Sequence, residues 1–243
     1  MSIDARLAAA EAAIAKLQDE IGLEQDRQAI LRLQRSYCYY MDKGLYDEAV
    51  ECFASDGELH FMGGIWRGQE SIRRLYCGRL RNSFTHGVNG PAYGVMCEHW
   101  PSQDVISIAD DRKSAKGRWR CTLMGAQHDS KPDPNKRLPR QWWEHGVYEN
   151  SYVLEGGVWK IARHAYHLFT QVEYDMGWAA APPIPSPFLT HTFPDDPHGP
   201  DEITEDAHPA WPETRLVDFH YPHPVTGKPV VAEVRKDAPP LRL

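Results

Sequence analysis

The chain has 243 residues, 42% of them hydrophobic and 11% aromatic, which is enough for one sizeable core plus extensions. A net charge of −7 and a pI near 5.9, with no basic run to track phosphates, exclude nucleic acid as the expected partner. No apolar run approaches a membrane span and the first residues lack the apolar core of a secretory signal, so no membrane partner and a cytoplasmic location are expected.

Ile3, Leu7, Ala10, Ile14, Leu17 and Ile21 recur at spacings of four and three, an a/d seam expected to meet another subunit or, alternatively, to fold back on its own domain. Gly22 separates this helix from a second, expected over Glu24–Lys43 and ended by Gly44. A short helix over Asp47–Phe53, a strand over Glu58–Met62 and a third helix near Gln69–Leu80 follow. Asn82–Gly90 is expected as loop or strand entry, before strands near Ala92–Trp100, Asp104–Ile108 and Ala115–Ala126. His128–Pro139 is a polar loop with three prolines, long enough for a flap.

Gln141–Thr170 reads as two long strands joined by Glu155-Gly156-Gly157, a hairpin signal. A three-residue loop sets Glu149 opposite Arg163, Tyr148 opposite His164 and Gly146 opposite Tyr166; a two-residue turn at Gly156-Gly157 sets Glu149 opposite His164 instead. The first register is preferred because it places opposite charges across the pair. One face then carries Trp142, Glu144, Gly146, Tyr148, Asn150, His164 and Tyr166, and the other Trp143, His145, Val147, Glu149, Arg163 and His167. Polar and aromatic residues on both faces suggest that one face lines a pocket; the alternative is a sheet whose aromatic rings cover a neighbouring helix.

From Ala180 onward the chain holds fourteen of its nineteen prolines, yet keeps Phe188, Phe193, Trp211, Phe219 and Tyr221, as expected of an ordered wrap without regular structure; the alternative is a flexible tail whose aromatic residues bind a partner. The five cysteines, Cys38, Cys52, Cys77, Cys97 and Cys121, are odd in number and scattered, which suits reduced packing residues. His164 and His167 point to opposite faces of a strand and there is no HExxH, so no metal is expected; no Gly-rich phosphate loop follows a strand, so no nucleotide cofactor is expected either. Helices first and strands after make an α+β plan.

The segments AILRLQRSYCYYMDKGLYDEAVECFASDGELHF, WRGQESIRRL, FTHGVNG and YENSYVLEGGVWKIAR, in that order, resemble the SnoaL-like branch of the nuclear transport factor 2-like superfamily over about Glu24–Thr170. The resemblance implies an α+β cone, a curved mixed sheet wrapped around helices with a mostly apolar pocket at its open end. It divides the chain into an N-terminal helical extension (1–22), the cone domain (23–178) and a Pro-rich C-terminal extension (179–243).

Asp42, in the last turn of its helix beside Tyr39, Tyr40 and Met41, is either partly desolvated or a solvated helix-end residue disfavoured by the dipole. Resemblance to the scytalone dehydratases implies the first: Asp42 matches the aspartate that orients a catalytic histidine, and His86 falls where that histidine falls. The same likeness places Tyr148 at a cavity asparagine and His164, Tyr166 and Leu168 at cavity-lining positions, with Arg163 at a glycine site. The second catalytic histidine of that family is absent; Arg118 and Arg120 share a strand face and are candidates to steady a phenolate, or else are surface arginines.

With its heptad-bearing helix, Tyr37–Asp42, Trp142-Trp143 and long proline-rich tail, the chain as a whole is similar to the cofactor-independent diarylpropane γ-formaldehyde lyases of sphingomonad lignin catabolism. That likeness implies a lignin-derived 1,2-diaryl-1,3-propanediol converted to a hydroxystilbene and formaldehyde, with no cofactor. His86 oriented by Asp42 would move protons, Tyr148 or Tyr40 would bond a substrate oxygen, Arg120 would steady the phenolate, and Phe61, Trp119 and Tyr166 would hold the small aromatic substrate. A homo-oligomer, a trimer before a dimer, is expected by the same likeness. The alternatives are a dehydratase or isomerase of a polyketide- or steroid-like molecule, and a non-catalytic binding module.

Overall fold

The computed structural model of the chain describes residues 2–130, 140–180, 189–204, 211–212, 214 and 216–231. From residue 131 onward the expected flap lies outside the described residues, as does Phe188 of the tail.

Helix α1 runs unbroken over Ile3–Asp42, capped by Ser2, whose hydroxyl accepts from the Ala5 N–H at 3.2 Å. The break expected at Gly22 is therefore corrected. A lone glycine costs a helix only about 1 kcal/mol, and the alanine- and charge-rich flanks absorb it. Gly22 serves a close approach instead: a Cβ there would lie 2.3 Å from Arg112 Nη1, and Arg112 donates to Asp26 of the same helix at 2.6 Å. The apolar seam of the first turns is uncovered in the single chain, with Ile3, Leu7, Ile14, Leu17 and Ile21 all more than half exposed.

After α2 (Tyr46–Glu51) come strands β1 (Phe53–Phe61) and β2 (Gly64–Arg67). The third helix is composite: α3 (Gly68–Arg73), a π-helical stretch over Arg74–Leu80, and α4 (Arg81–Phe84), which takes up part of the expected loop. Four long strands follow, β3 (Val95–Ile108), β4 (Ser114–Gln127), β5 (Gln141–Glu155) and β6 (Val158–Glu173). The two strands expected over 92–108 are one strand, with an irregularity between Ser102 and Val105. With the short β7 (Glu202–Ile203) they form a seven-stranded sheet in the order β3-β4-β5-β6-β1-β2-β7, curved and mixed, since β1 and β6 run parallel.

The preferred hairpin register is wrong. Glu155 pairs with Val158 across a two-residue turn in which Gly156 and Gly157 take φ of 60° and 81°, both in the left-handed region that glycine tolerates. A bulge between Ser151 and Tyr152 then shifts the pairing, so Ser151 faces Arg163 and Tyr148 faces Tyr166; a second lies between His145 and Gly146. The expected Glu149–Arg163 attraction does not decide the register, because Glu149 has its partner on the other side: it pairs directly with Arg118 of β4 and accepts from that guanidinium.

The face carrying Trp142, Glu144, Tyr148, Asn150, His164 and Tyr166 is the inner one. Between it and α1 lies a buried polar cluster. Asn150 Nδ2 and the Tyr152 hydroxyl donate to Gln34 Oε1 at 2.9 and 2.8 Å, Trp119 donates to the Tyr152 oxygen at 2.9 Å, and Asn150 Oδ1 accepts from the Ala165 N–H at 3.1 Å. Around it pack Ile30, Val50, Phe53, Leu59, Trp66, Ile72 and Ile161, all at most 1% exposed.

The described part of the C-terminal extension is tied to the composite helix. Asp201 accepts from Ser71 and Arg74, Asp196 from Arg79, and the Arg74 guanidinium sits 4.3 Å from the centre of the Phe193 ring. Asn150→Ala, which strips the Ala165 N–H of its acceptor and Gln34 of a donor, is expected to lower stability by about 2 kcal/mol. Urea denaturation followed by circular dichroism checks it, with the midpoint falling and the slope unchanged.

Candidate active site

A cavity of about 380 Å³ lies between the inner face of the sheet, the end of α1 and the composite helix. That volume is within the range of small-molecule sites, and the lining is mostly apolar and aromatic with a few polar groups. Tyr37 and Met41 come from α1, Phe61 from β1, Leu75, Tyr76, Arg79 and Leu80 from the π-helical stretch, and Leu189 from the extension. The wide turn of a π-helix presents this run of side chains to one side, a feature that recurs at functional sites.

The floor is one ladder row. His99 of β3 pairs with Leu123 of β4, Leu123 with Glu144 of β5, and Glu144 with Gln171 of β6, and all four line the cavity. Directly paired residues share a face, so the sheet presents an imidazole and a carboxyl side by side with one leucine between them. Two glycines clear the space around this row. A Cβ on Gly125 would lie 2.1 Å from the Trp142 ring, and one on Gly146 would lie 2.4 Å from the Tyr166 ring.

The Asp42 partner is His99, not His86. Asp42 Oδ1 accepts from the His99 backbone N–H at 2.7 Å and from its Nδ1 at 2.8 Å, and the Asp42 side chain is 3% exposed. Of the two readings open for Asp42, the desolvated one holds. Burial disfavours a charged ring, but the nearby Cys97 sulfur and the Asp42 hydrogen bond outweigh it and hold the His99 pKa well above the ordinary histidine value. Nδ1 is committed to the carboxylate, so Nε2 is the nitrogen that a ligand meets.

His86 is exposed and does not line the cavity. The chain turns outward there because Thr85 is buried, its hydroxyl bonded to the Arg81 and Val88 carbonyls, and His86 itself takes a left-handed φ of 55°. Two further expected residues move to the outside. Arg120 is exposed and donates to Gln103 at 2.6 Å; Arg118 is on the outer face, with Glu149 and over the Phe219 ring at 4.0 Å. On β4 the inward positions are Trp119, Cys121 and Leu123, so the alternating arginines have to face out.

Trp119 is buried but bonded to Tyr152, and Leu168 is buried in the core; neither lines the cavity. Tyr40 is partly buried against the core outside the cavity, and Tyr37, one turn earlier, takes the lining position. Phe61, Tyr148, His164 and Tyr166 do line it. Phe61 and Tyr166 are stacked, ring centres 6.2 Å apart at 13°. The Tyr148 hydroxyl is 3.0 Å from Cys121 Sγ, and burial pushes its pKa well above the ordinary tyrosine value.

The His164 ring lies 4.9 Å from Tyr37 and 4.5 Å from Tyr148, its Nδ1 buried without a partner, and burial depresses its pKa to about 3. Glu144 is 6% exposed; Oε1 accepts from the Tyr166 hydroxyl at 2.8 Å and Oε2 from Gln171 at 3.0 Å, and burial raises its pKa. Tyr37 and Tyr76 share a 2.5 Å hydrogen bond on the opposite wall.

His99 and Glu144 are the polar cavity-lining residues that sequence reasoning missed. Alternation along β3, with Cys97 and His99 on one face, was the available signal for the first, and for the second the place of Glu144 on the same hairpin face as Tyr148, His164 and Tyr166. Among the described residues there is no group of three or more His, Cys, Asp or Glu placed to hold a metal ion.

A SnoaL-like domain model matches residues 24–165. Among solved structures, the chain is similar to a candidate scytalone dehydratase from Novosphingobium aromaticivorans, at 21% identity over 69% of this chain and 97% of that one, TM-score 0.49. It is also similar to an NTF2-like protein with a cystatin-like fold from the same organism, at 17% identity over 68% and 93%, TM-score 0.49. LinA is similar at 17% identity over 63% and 91%, TM-score 0.50. No curated protein matches the chain.

The depressed His164 pKa has a sign that can be checked. As pH falls through the ordinary histidine range the unfolded ring takes a proton and the native ring does not, so stability is lost from about pH 6.5 downward to about 3. His164→Phe is expected to flatten the stability–pH curve across that window, measured by chemical denaturation at a series of pH values.

Proposed function

Because this chain belongs to the SnoaL-like domain family and its cavity holds an oriented imidazole, we propose that it is a cofactor-independent acid–base lyase acting on a small aromatic substrate. The substrate we assign is a lignin-derived 1,2-diaryl-1,3-propanediol carrying a para-phenol, and the products are a hydroxystilbene, formaldehyde and water. The observation that carries the reading is the His99–Asp42 pair, with His99 facing an aromatic chamber of about 380 Å³.

The chemistry follows from the pair. With its pKa held high, the His99 imidazolium is the form ready to give a proton. Its Nε2 proton goes to the benzylic hydroxyl, whose carbon–oxygen bond breaks with the pair leaving on oxygen as water, while the phenol's electrons move through the ring to give a quinone methide. The imidazole left behind then takes the proton of the terminal hydroxyl. The carbon–carbon bond to that carbon breaks, formaldehyde departs, and the bonding pair forms the stilbene double bond as the ring regains aromaticity. His99 ends the cycle protonated again, so no outside reductant or oxidant enters.

The walls suit such a substrate. Phe61, Tyr166, Trp142 and Phe84 line the cavity with flat apolar faces, and neutral Tyr148 and Tyr37 offer hydrogen bonds to hydroxyl groups. Desolvation strengthens each of those polar contacts.

The test is incubation with a diarylpropanediol, following formaldehyde by colorimetry and stilbene by fluorescence. His99→Ala and Asp42→Asn are each expected to lower kcat/KM at least about 100-fold, and His86→Ala to leave it unchanged. Wild-type protein that releases no formaldehyde overturns the assignment; loss of water alone would move the chain to the simple dehydratases.

A further inference from the structure

His99 accounts for the benzylic and terminal hydroxyls in the proposed reaction but leaves the phenol proton without an acceptor. The cavity floor holds a second titratable group that nothing in that scheme uses. Glu144 is on the same ladder row as His99, two strands away with Leu123 between them, so their backbones are about 10 Å apart. Both side chains line the cavity, so a para-hydroxybenzyl alcohol whose ring lies over Leu123 would present its benzylic hydroxyl to one and its phenol to the other.

We infer that Glu144 is the second catalytic group of the cavity, the base that takes the phenol proton while His99 serves the aliphatic hydroxyls at the far end; this rests on the proposed lyase reading. The carboxyl is built for that task rather than for packing. Tyr166 and Gln171 each donate to one of its oxygens, which holds the carboxylate in one orientation and offsets part of its desolvation. Burial raises its pKa above the ordinary glutamate value, which makes the carboxylate a stronger base. His99 across the row opposes that rise.

The other polar groups of the lining do not compete for the role. His164 has a pKa depressed to about 3, too weak a base. Arg79 is paired with Asp196, and Tyr37 and Tyr76 are bonded to one another. Gly146 is part of the device, since the missing Cβ is what lets Tyr166 lie across β5 to reach Glu144.

The steps balance. The phenol O–H pair becomes the carbonyl of the quinone methide as its proton passes to Glu144, and His99 protonates the departing hydroxyl. When formaldehyde leaves and the ring rearomatises, the phenolate takes that proton back from Glu144. Both groups finish in the state in which they began.

The experiment is exchange of the benzylic oxygen with isotopically labelled water, read by mass spectrometry beside the formaldehyde assay. Exchange reports departure of the hydroxyl whether or not the carbon–carbon bond breaks. Glu144→Gln is expected to slow exchange at least about 100-fold on a substrate with an ordinary phenol. On a substrate whose phenol is ionised at neutral pH by ring fluorination, most of that loss is expected to disappear, because no base is then needed. A structural role for Glu144 predicts the same loss on both substrates, and that outcome overturns the inference, as does a variant that exchanges at the wild-type rate. Wild-type exchange without formaldehyde overturns the lyase reading alone and leaves the Glu144 comparison decisive.

Discussion

The buried carboxylate of Asp42 at the C-terminal end of α1 is what the cavity depends on. A negative charge there meets the negative end of the helix dipole and loses its water, both unfavourable. Two hydrogen bonds from one residue, the backbone N–H and Nδ1 of His99, offset that cost and dock the last turn of α1 onto β3. The same two bonds fix which ring nitrogen faces the cavity. Helix placement and imidazole tautomer are thus one constraint, and the site cannot be loosened without loosening the fold.

The rest of the chamber is arranged from that anchor by strand pairing. His99, Leu123, Glu144 and Gln171 form a row because β3 through β6 pair in register at this point, and the bulge between His145 and Gly146 begins one residue beyond it. Past the bulge, Tyr166 tilts over Gly146 to meet Glu144 rather than standing upright on its own strand. One adjoining bulge and two glycines thus leave a floor with an imidazole and a carboxyl at separate ends. The composite helix closes the side, and Asp196 and Asp201 hold the extension against it so that Leu189 joins the lining.

Much of the fold was legible in the chain. Heptad spacing, the hairpin signal in Gln141–Thr170 and the ordered family segments give the α+β architecture, and the aromatic–polar mixture of both hairpin faces signals a cavity without telling which face lines it. Bulges were not legible, because an extra residue leaves no periodic trace, and the register assigned from Glu149 and Arg163 failed when Glu149 found Arg118 on the neighbouring strand. Gly22 misled for a different reason: the contact it permits, with Arg112, is 90 residues away in the chain. Asp42 was expected to hold a histidine and does, but the histidine is His99 and not His86. A histidine in a short Thr-His-Gly segment resembles a catalytic loop, whereas His99 sits in an ordinary-looking strand whose register with α1 only the folded sheet reveals.

The claim that Asp42 sets the state of His99 is tested most directly by nuclear magnetic resonance titration of the His99 ring in the wild type and in Asp42→Asn. Asparagine keeps an oxygen to accept both hydrogen bonds but removes the charge. The wild-type ring is expected to stay protonated through the ordinary histidine range, losing its proton only at higher pH, and the variant ring to titrate at a clearly lower pH. Identical titration curves in the two proteins would contradict the account.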